Sequence, residues 1–235
     1  MYNTIKETKS IHISLFCTID AFHKQLDNTL NSAARLFAKE YIVSTPDSYQ
    51  DLLTGNTPLP LKARMLSYKL HSYNAQIYDN KYSYLYHIEY AAAQLKELMK
   101  HIGGEEDSQV YINSLCAIYL HDSVEDAGIT YNDIRNMFNI DIAEAVFGVT
   151  NNRGRTRKER SGGDFYDVLT SNKVSVYCKI ADRCANYKYG AEVDSSMSRK
   201  YKKENPDFVA GLKGIIEKDA TFNVRAFDYL EEVMA

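Results

Sequence analysis

Leu115-Cys116-Ala117-Ile118-Tyr119-Leu120-His121-Asp122-Ser123-Val124-Glu125-Asp126 is an apolar helical run that closes on an imidazole and three carboxylates. Asp122 lies three and four residues before Glu125 and Asp126, so on a helix the three acids share one face. Like charges at that spacing repel, and at a helix C-terminal end they also oppose the macrodipole. A bound cation relieves both. The alternative, solvated helix-end acids, fits less well with an apolar approach that carries His121 and Asp122 inward.

A second cluster, Lys179-Ile180-Ala181-Asp182-Arg183-Cys184-Ala185-Asn186, interrupts another apolar helix, Val174 to Tyr187. Asp182 and Asn186 are one turn apart, so a metal-ligating carboxylate and a hydrogen-bonding amide can point into one cleft. A salt-bridge pattern among Lys179, Asp182 and Arg183 is the competing reading. A third element, Tyr84-Leu85-Tyr86-His87-Ile88-Glu89-Tyr90, sets His87 at the start of an alanine-rich helix. A lone histidine there usually packs or caps. His87 gains meaning from the other two clusters.

Working outward, the chain has 4 prolines and 11 glycines in 235 residues, a composition that favours long helices. Apolar spacing predicts helices near 61–77, 87–101, 108–122, 130–137, 140–148, 164–189, 193–203 and 207–233, with no period-2 pattern competing. The class is all-α. Leu15, Ile19, Phe22, Leu26, Leu30, Ala33 and Phe37 form one stripe of an amphipathic helix over residues 12–42. Breaks at Ser44-Thr45-Pro46-Asp47 and Gly55-Asn56-Thr57-Pro58-Leu59-Pro60 mark residues 1–60 as an N-terminal helical extension. Residues 61–212 form the main domain, and residues 213–235 are expected as a C-terminal helix packing on its core.

Lys plus Arg number 28 against 31 Asp plus Glu, a net charge of −3, so no global field draws bulk nucleic acid or an anionic membrane. No apolar run approaches the roughly 18 residues that span a bilayer, and the first residues lack a signal core, which predicts a cytoplasmic protein. Cys17, Cys116, Cys178 and Cys184 sit among apolar neighbours without metal-type spacing and read as reduced core thiols. Of the 19 tyrosines, seven fall between Tyr68 and Tyr90, and this local excess needs an explanation.

The ordered set of His87, then His121-Asp122 with Glu125-Asp126, then Asp182 with Asn186, resembles the HD-domain metal-dependent phosphohydrolases. The likeness is nearest to the hydrolase domain of RelA/SpoT alarmone enzymes and to small alarmone hydrolases. It rests on Tyr84 before His87, on the Leu-His-Asp-x-x-Glu-Asp run, on Gly148-Val149-Thr150, and on Lys179-x-Ala-Asp-Arg-x-x-Asn186. Lys200-Tyr201-Lys202-Lys203-Glu204-Asn205-Pro206-Asp207-Phe208 also resembles the segment that closes small alarmone hydrolases, and the likeness spans residues 61 to 212. The resemblance implies an HD-domain helical bundle holding Mn2+, or another divalent ion, on His87, His121, Asp122 and Asp182. Such an ion acidifies water and polarises a phosphoryl oxygen. Glu125 and Asp126 are then implied to orient that water and move protons. Tyr84, Asn186, Lys179 and Arg183 are implied substrate contacts, with Lys179 and Arg183 open between phosphate contact and structural pairing.

The chain departs from the family pattern ahead of His87. Gln76 to Ser83 lacks the arginine that packs on the guanine base, and Ile88 replaces the usual proline. Tyr82, Tyr84 and Tyr86 offer rings for stacking instead, or they cover the core with wet hydroxyls. After Thr150, the segment from Arg153 to Arg160 holds Arg153, Arg155, Arg157, Lys158 and Arg160 against Glu159, a net +4 in an acidic protein. Guanidiniums on such a glycine-flanked loop can close on a polyphosphate, with Arg155, Arg157 and Lys158 as the substrate-binding set. A solvated charge run is the other reading.

These readings lead to a hydrolase of a purine nucleotide, first guanosine 3′-pyrophosphate (ppGpp or pppGpp). Three alternatives stay open as substrates: NADPH, another nucleotide, and a pyrophosphorylated tRNA end. A protein of a different class, an antitoxin or partner-binding protein on the same scaffold, would use helix 12–42 to dock a toxin or a second copy in a homo-oligomer.

Overall fold

The computed structural model describes residues 57–151 and 164–235. The segment expected as helix 12–42 lies outside the described residues, as do Arg153, Arg155, Arg157, Lys158 and Arg160. The first described elements are α1 (Leu59–Tyr73), β1 (Ile77–Tyr78), β2 (Tyr82–Ser83), α2 (Leu85–His101), α3 (Gln109–Leu120) and α4 (Ser123–Asp126). They are followed by α5 (Tyr131–Met137), α6 (Ile140–Val149), α7 (Phe165–Leu169), α8 (Lys173–Glu192), α9 (Ser196–Leu212), α10 (Gly214–Lys218) and α11 (Arg225–Met234).

α8 is the axis of the bundle, packing on α2, α3, α6, α9 and α11. Val176, Cys178, Ile180, Ala181, Cys184 and Ala185 bury against those neighbours. Lys179, Asp182, Arg183 and Asn186 recur at steps of three and four and therefore share one face. α3 is apolar on every side over Leu115 to Leu120, and all six residues are buried, as a helix without a polar face must be. Burying each large aliphatic side chain contributes about 1.5–3 kcal/mol, so α3 anchors the residues that follow it. α1 is tied to α2 by a buried ion pair, Arg64 Nε to Glu89 Oε1 at 2.7 Å, with the Tyr68 hydroxyl donating to the same oxygen. Glu89 is two residues from His87, so this pair also fixes the first turn of α2.

α6 crosses α8 closely at Gly148. A Cβ there would stand 2.4 Å from Ser175 Oγ and 2.9 Å from Ser175 Cβ. Ser175 cannot easily yield, since its hydroxyl donates to the Ala145 carbonyl at 3.0 Å. Gly148→Ala is expected to destabilise the fold by about 1–3 kcal/mol through overpacking. Urea unfolding checks this, with a lower midpoint at unchanged slope; an unmoved midpoint would mean that the crossing has room to spare.

Several predicted boundaries shift for local reasons. The helix expected over 61–77 ends at Tyr73, and the chain turns through a short hairpin with Tyr78 opposite Tyr82. Asp79 and Asn80 take positive φ values of 50° and 55° there, a region these two residues enter readily. The helix expected over 164–189 divides between α7 and α8, because the Asn172 side chain accepts the Val174 N–H and caps a new start. α9 runs through Pro206 instead of stopping before it. The single helix expected over 207–233 is interrupted beyond α10, where Asp219 and Asn223 accept backbone N–H groups of Thr221 and Arg225. Tyr229, on α11, donates to Gln94 Oε1 of α2 at 3.1 Å. Cys116, Cys178 and Cys184 are buried free thiols, and burial pushes Cys116 and Cys184 up to about 12.

Candidate metal centre and its cleft

Two imidazoles and two carboxylates from three parts of the bundle come together here. His87 stands in the first turn of α2, His121 at the end of α3, Asp122 just beyond it, and Asp182 midway along α8. The two imidazole Nε2 atoms face each other at 3.3 Å. Asp122 Oδ2 is 3.0 Å from His121 Nε2 and 3.6 Å from His87 Nε2. Asp182 Oδ1 is 3.3 Å from His87 Nε2 and 3.7 Å from His121 Nε2. His87, His121 and Asp182 each offer a ligand atom within 4.8 Å of the others.

Each donor is held by a second contact. His121 Nδ1 lies 2.7 Å from the Ile118 carbonyl, which can only accept, so Nδ1 carries a proton and Nε2 presents its lone pair. His87 stacks on Tyr78 with ring centroids 5.0 Å apart at 17°. Tyr84 donates its hydroxyl to Asp122 Oδ2 at 2.5 Å. Asn186 Nδ2 donates to Asp182 Oδ1 at 2.6 Å, and Asn186 Oδ1 accepts the Tyr78 hydroxyl at 3.1 Å. The hydrogen bonds on His121, Asp122 and Asp182 are of the kind that orient metal ligands, whereas His87 Nδ1 is buried with no hydrogen-bond partner among the described residues.

The donor set fits a divalent cation. Ligand atoms of His87, His121 and Asp182 are close enough to share one ion, and Asp122 Oδ2 lies beside both imidazole nitrogens. Mixed imidazole and carboxylate donors suit Mn2+ and related ions better than a thiolate set would. Without an ion, protons fill the role. Burial would lower His87, but its hydrogen bonds to Asp122 and Asp182 and their charges outweigh that and raise it to about 9. His121 is raised as well, against burial, chiefly by the charge of Asp122. Burial would raise Asp122 and Asp182, yet the facing histidines hold both below the usual carboxylate range.

This sets two pH dependences. As a ligand His87 would have to shed its proton, so metal affinity should rise from pH 7 toward pH 9, with at least about one proton released per ion bound near neutral pH. Calorimetry in buffers of different ionisation enthalpy measures that count; a count of zero would remove His87 from the ligand set. In the metal-free protein a raised histidine stabilises the fold fully below its unfolded value of about 6.5, and that stability is lost as the pH climbs through the folded value.

The three acids after His121 lie on one short helical turn, since Asp122 caps α4 and the Asp126 N–H bonds its carbonyl at 2.9 Å. Their carboxylates nevertheless take different partners. Glu125 accepts the Asn151 N–H at 2.7 Å and Asn151 Nδ2 at 3.0 Å. Asp126 is exposed and accepts Gln76 Nε2 at 2.8 Å. Burial leads the causes that raise Glu125, with Asn151 and Lys179 acting against it.

A cleft of about 790 Å³ opens from His87, Asp122 and Asp182 along α8 and α9. Lys179 lines it while donating to the Val149 carbonyl at 3.2 Å and Asn151 Oδ1 at 3.3 Å. Arg183 also reaches the cleft, but its guanidinium donates to the Tyr201 carbonyl at 2.9 Å and lies over the Phe208 ring at 4.2 Å, joining α8 to α9. Tyr84 borders the cleft with its hydroxyl turned to Asp122. Tyr82 and Tyr86 instead stack on each other at 4.8 Å and belong to a tyrosine cluster with Tyr189 and Tyr68. The local excess of tyrosine therefore serves two purposes, a packed cluster and, through Tyr78 and Tyr84, the walls of the site. Sequence reasoning missed Tyr78 and Asn151. Each lies beside a quoted motif, but no local spacing links either to its partner.

No family model matches the sequence. A solved structure described as a metazoan ortholog of SpoT that hydrolyzes ppGpp and plays a role in starvation responses matches this chain with a TM-score of 0.52. The identity is 17%, and the match covers 77% of this chain and 96% of that one. The chain has the all-α HD-domain fold. Among the described residues no helix is long and apolar enough to cross a membrane.

Proposed function

We propose that this chain is a metal-dependent phosphohydrolase of a purine nucleotide, with ppGpp and pppGpp as its first substrates. One observation carries the reading: two imidazole nitrogens meet at 3.3 Å beside two carboxylates. The fold shared with a protein described as hydrolyzing ppGpp supports the choice of nucleotide. His87, His121, Asp122 and Asp182 would hold the ion, which would polarise a phosphoryl oxygen and acidify water. Tyr84 and Asn186 keep the two carboxylates aimed. Glu125 takes a proton as water attacks phosphorus and the ribose ester oxygen leaves with it, and Asp126 relays protons. Lys179 and Arg183 line the route by which the substrate enters, and Arg155, Arg157 and Lys158 meet its outer phosphates.

Turnover of ppGpp, NADPH, nucleoside triphosphates and a pyrophosphorylated tRNA by the manganese-loaded protein tests this. Release of pyrophosphate from ppGpp is the expected result. Faster release of phosphate from another substrate would move the assignment to that substrate. No turnover of any of them would favour the partner-binding reading, in which the scaffold docks a toxin or a second copy.

A further inference from the structure

We propose that Asn151 is a positioning residue that clamps the Glu125 carboxylate and leaves one of its oxygens free to accept a proton. The inference rests on the hydrolase reading above for its catalytic meaning, but the clamp itself is visible in the contacts. Glu125 Oε1 accepts both the Asn151 backbone N–H at 2.7 Å and the side-chain Nδ2 at 3.0 Å. Oε2 meets only the longer branch of the same amide, at 3.3 Å. Oε1 is thus saturated, and the free lone pair belongs to Oε2.

The amide cannot be turned around. Lys179 Nζ donates to Asn151 Oδ1 at 3.3 Å, and an ammonium has no acceptor to offer an NH2 group. The oxygen must therefore face α8 and the nitrogen must face Glu125. The backbone donor is fixed as well, because Thr150 leaves α6 in an extended conformation with φ −65° and ψ 123°, directing the next N–H toward α4. Asn151 borders the cleft together with Asp122 and Lys179, which places the clamp beside the candidate centre. Among the described residues it supplies every hydrogen bond that Glu125 accepts. The charged groups acting on Glu125 are Asp122, which disfavours its ionisation, and Lys179 of α8, which favours it.

Two variants separate a donor clamp from a space-filling role. N151A removes the side-chain donors and keeps the backbone one. N151D keeps the size and the Lys179 partner but turns an anion toward Glu125. Three measurements are read on each: the carboxyl carbon titration of Glu125 by NMR, with its resonance identified as the one lost in E125Q, the manganese content after dialysis, and kcat and KM for ppGpp across pH. We expect Glu125 to titrate at higher pH in N151A and higher still in N151D, with metal content unchanged. The acid limb of kcat should move the same way, with kcat about 10-fold lower in N151A, about 100-fold lower in N151D, and KM little altered. A merely structural residue would leave the isosteric N151D near wild type; that result, an unmoved titration, or loss of manganese would overturn the clamp. If the titration moves while the wild type hydrolyses no phosphate ester, the clamp stands and the proposed function fails. If the wild type is active and both variants match it, the function stands and the clamp fails.

Discussion

Asp182→Ala protein, dialysed and titrated with manganese, is expected to bind the ion more weakly by more than the roughly 10–100-fold that loss of a supporting partner brings. The oxygen removed is the one that faces both imidazoles, at 3.3 and 3.7 Å. Its charge also contributes to holding His87 up to about 9, so the substitution leaves two buried imidazoles with one carboxylate between them. Turnover should fall with metal occupancy and should be only partly restored by excess manganese. Asn186→Ala provides the graded comparison, because it removes the 2.6 Å bond to Asp182 and keeps the ligand. Its loss of affinity should be smaller. Elemental analysis after dialysis decides the matter: wild-type metal content in the Asp182 variant would take Asp182 out of the ligand set.

Glu125→Gln is expected to lower kcat for ppGpp by about two to four orders of magnitude, the usual worth of a positioned acid or base, with metal content near wild type. The amide has nearly the same shape, but it cannot take a proton and presents an NH2 group where Asn151 also donates. Some of the loss therefore comes from two donors facing each other, and Glu125→Asp separates that part. The shorter acid keeps a base but retracts it from the clamp, so its kcat should lie between those of Glu125→Gln and wild type. Unchanged turnover in Glu125→Gln would assign proton transfer elsewhere, with Asp126 the next residue to vary. Loss of manganese would instead place Glu125 among the ligands.

The contrast between Glu125 and Asp182 also marks how much of the site could be read without coordinates. Asp182 and Asn186 lie on one helix a turn apart, and helix geometry alone brings them together. Asp122, Glu125 and Asp126 also lie on one helical turn, with the Asp126 N–H bonded to the Asp122 carbonyl at 2.9 Å. Spacing does not give the partner that each carboxylate finds. Asp122 meets Tyr84 of the α2 N-terminus, Glu125 meets Asn151 beyond α6, and Asp126 meets Gln76 beside the hairpin.

Arg183 poses the same problem in reverse. Its neighbours Lys179 and Asp182 suggest a charged cleft face, and it does border the cleft. Its hydrogen bonds go instead to Tyr201 and Asn205 on α9, residues far along the chain that no spacing rule connects to it. Lys179 likewise donates to the end of α6, so both cations are engaged before any substrate is present.

By itself the sequence determined the all-α class, because apolar residues at steps of three and four can be buried together only on helices. It also singled out the residues proposed to carry chemistry, since an imidazole or a carboxylate inside an apolar run needs a partner that hydrocarbon cannot provide. Only the tertiary structure decided that His87, 34 residues from His121 and in a different helix, faces it at 3.3 Å. It also decided that Tyr78 stacks on His87 and that Asn151 holds Glu125. The physical reason is the range of the rules. Periodicity acts within one helix, while a site assembled from several helices depends on how their buried faces pack, and packing is settled by side-chain shapes across the whole core.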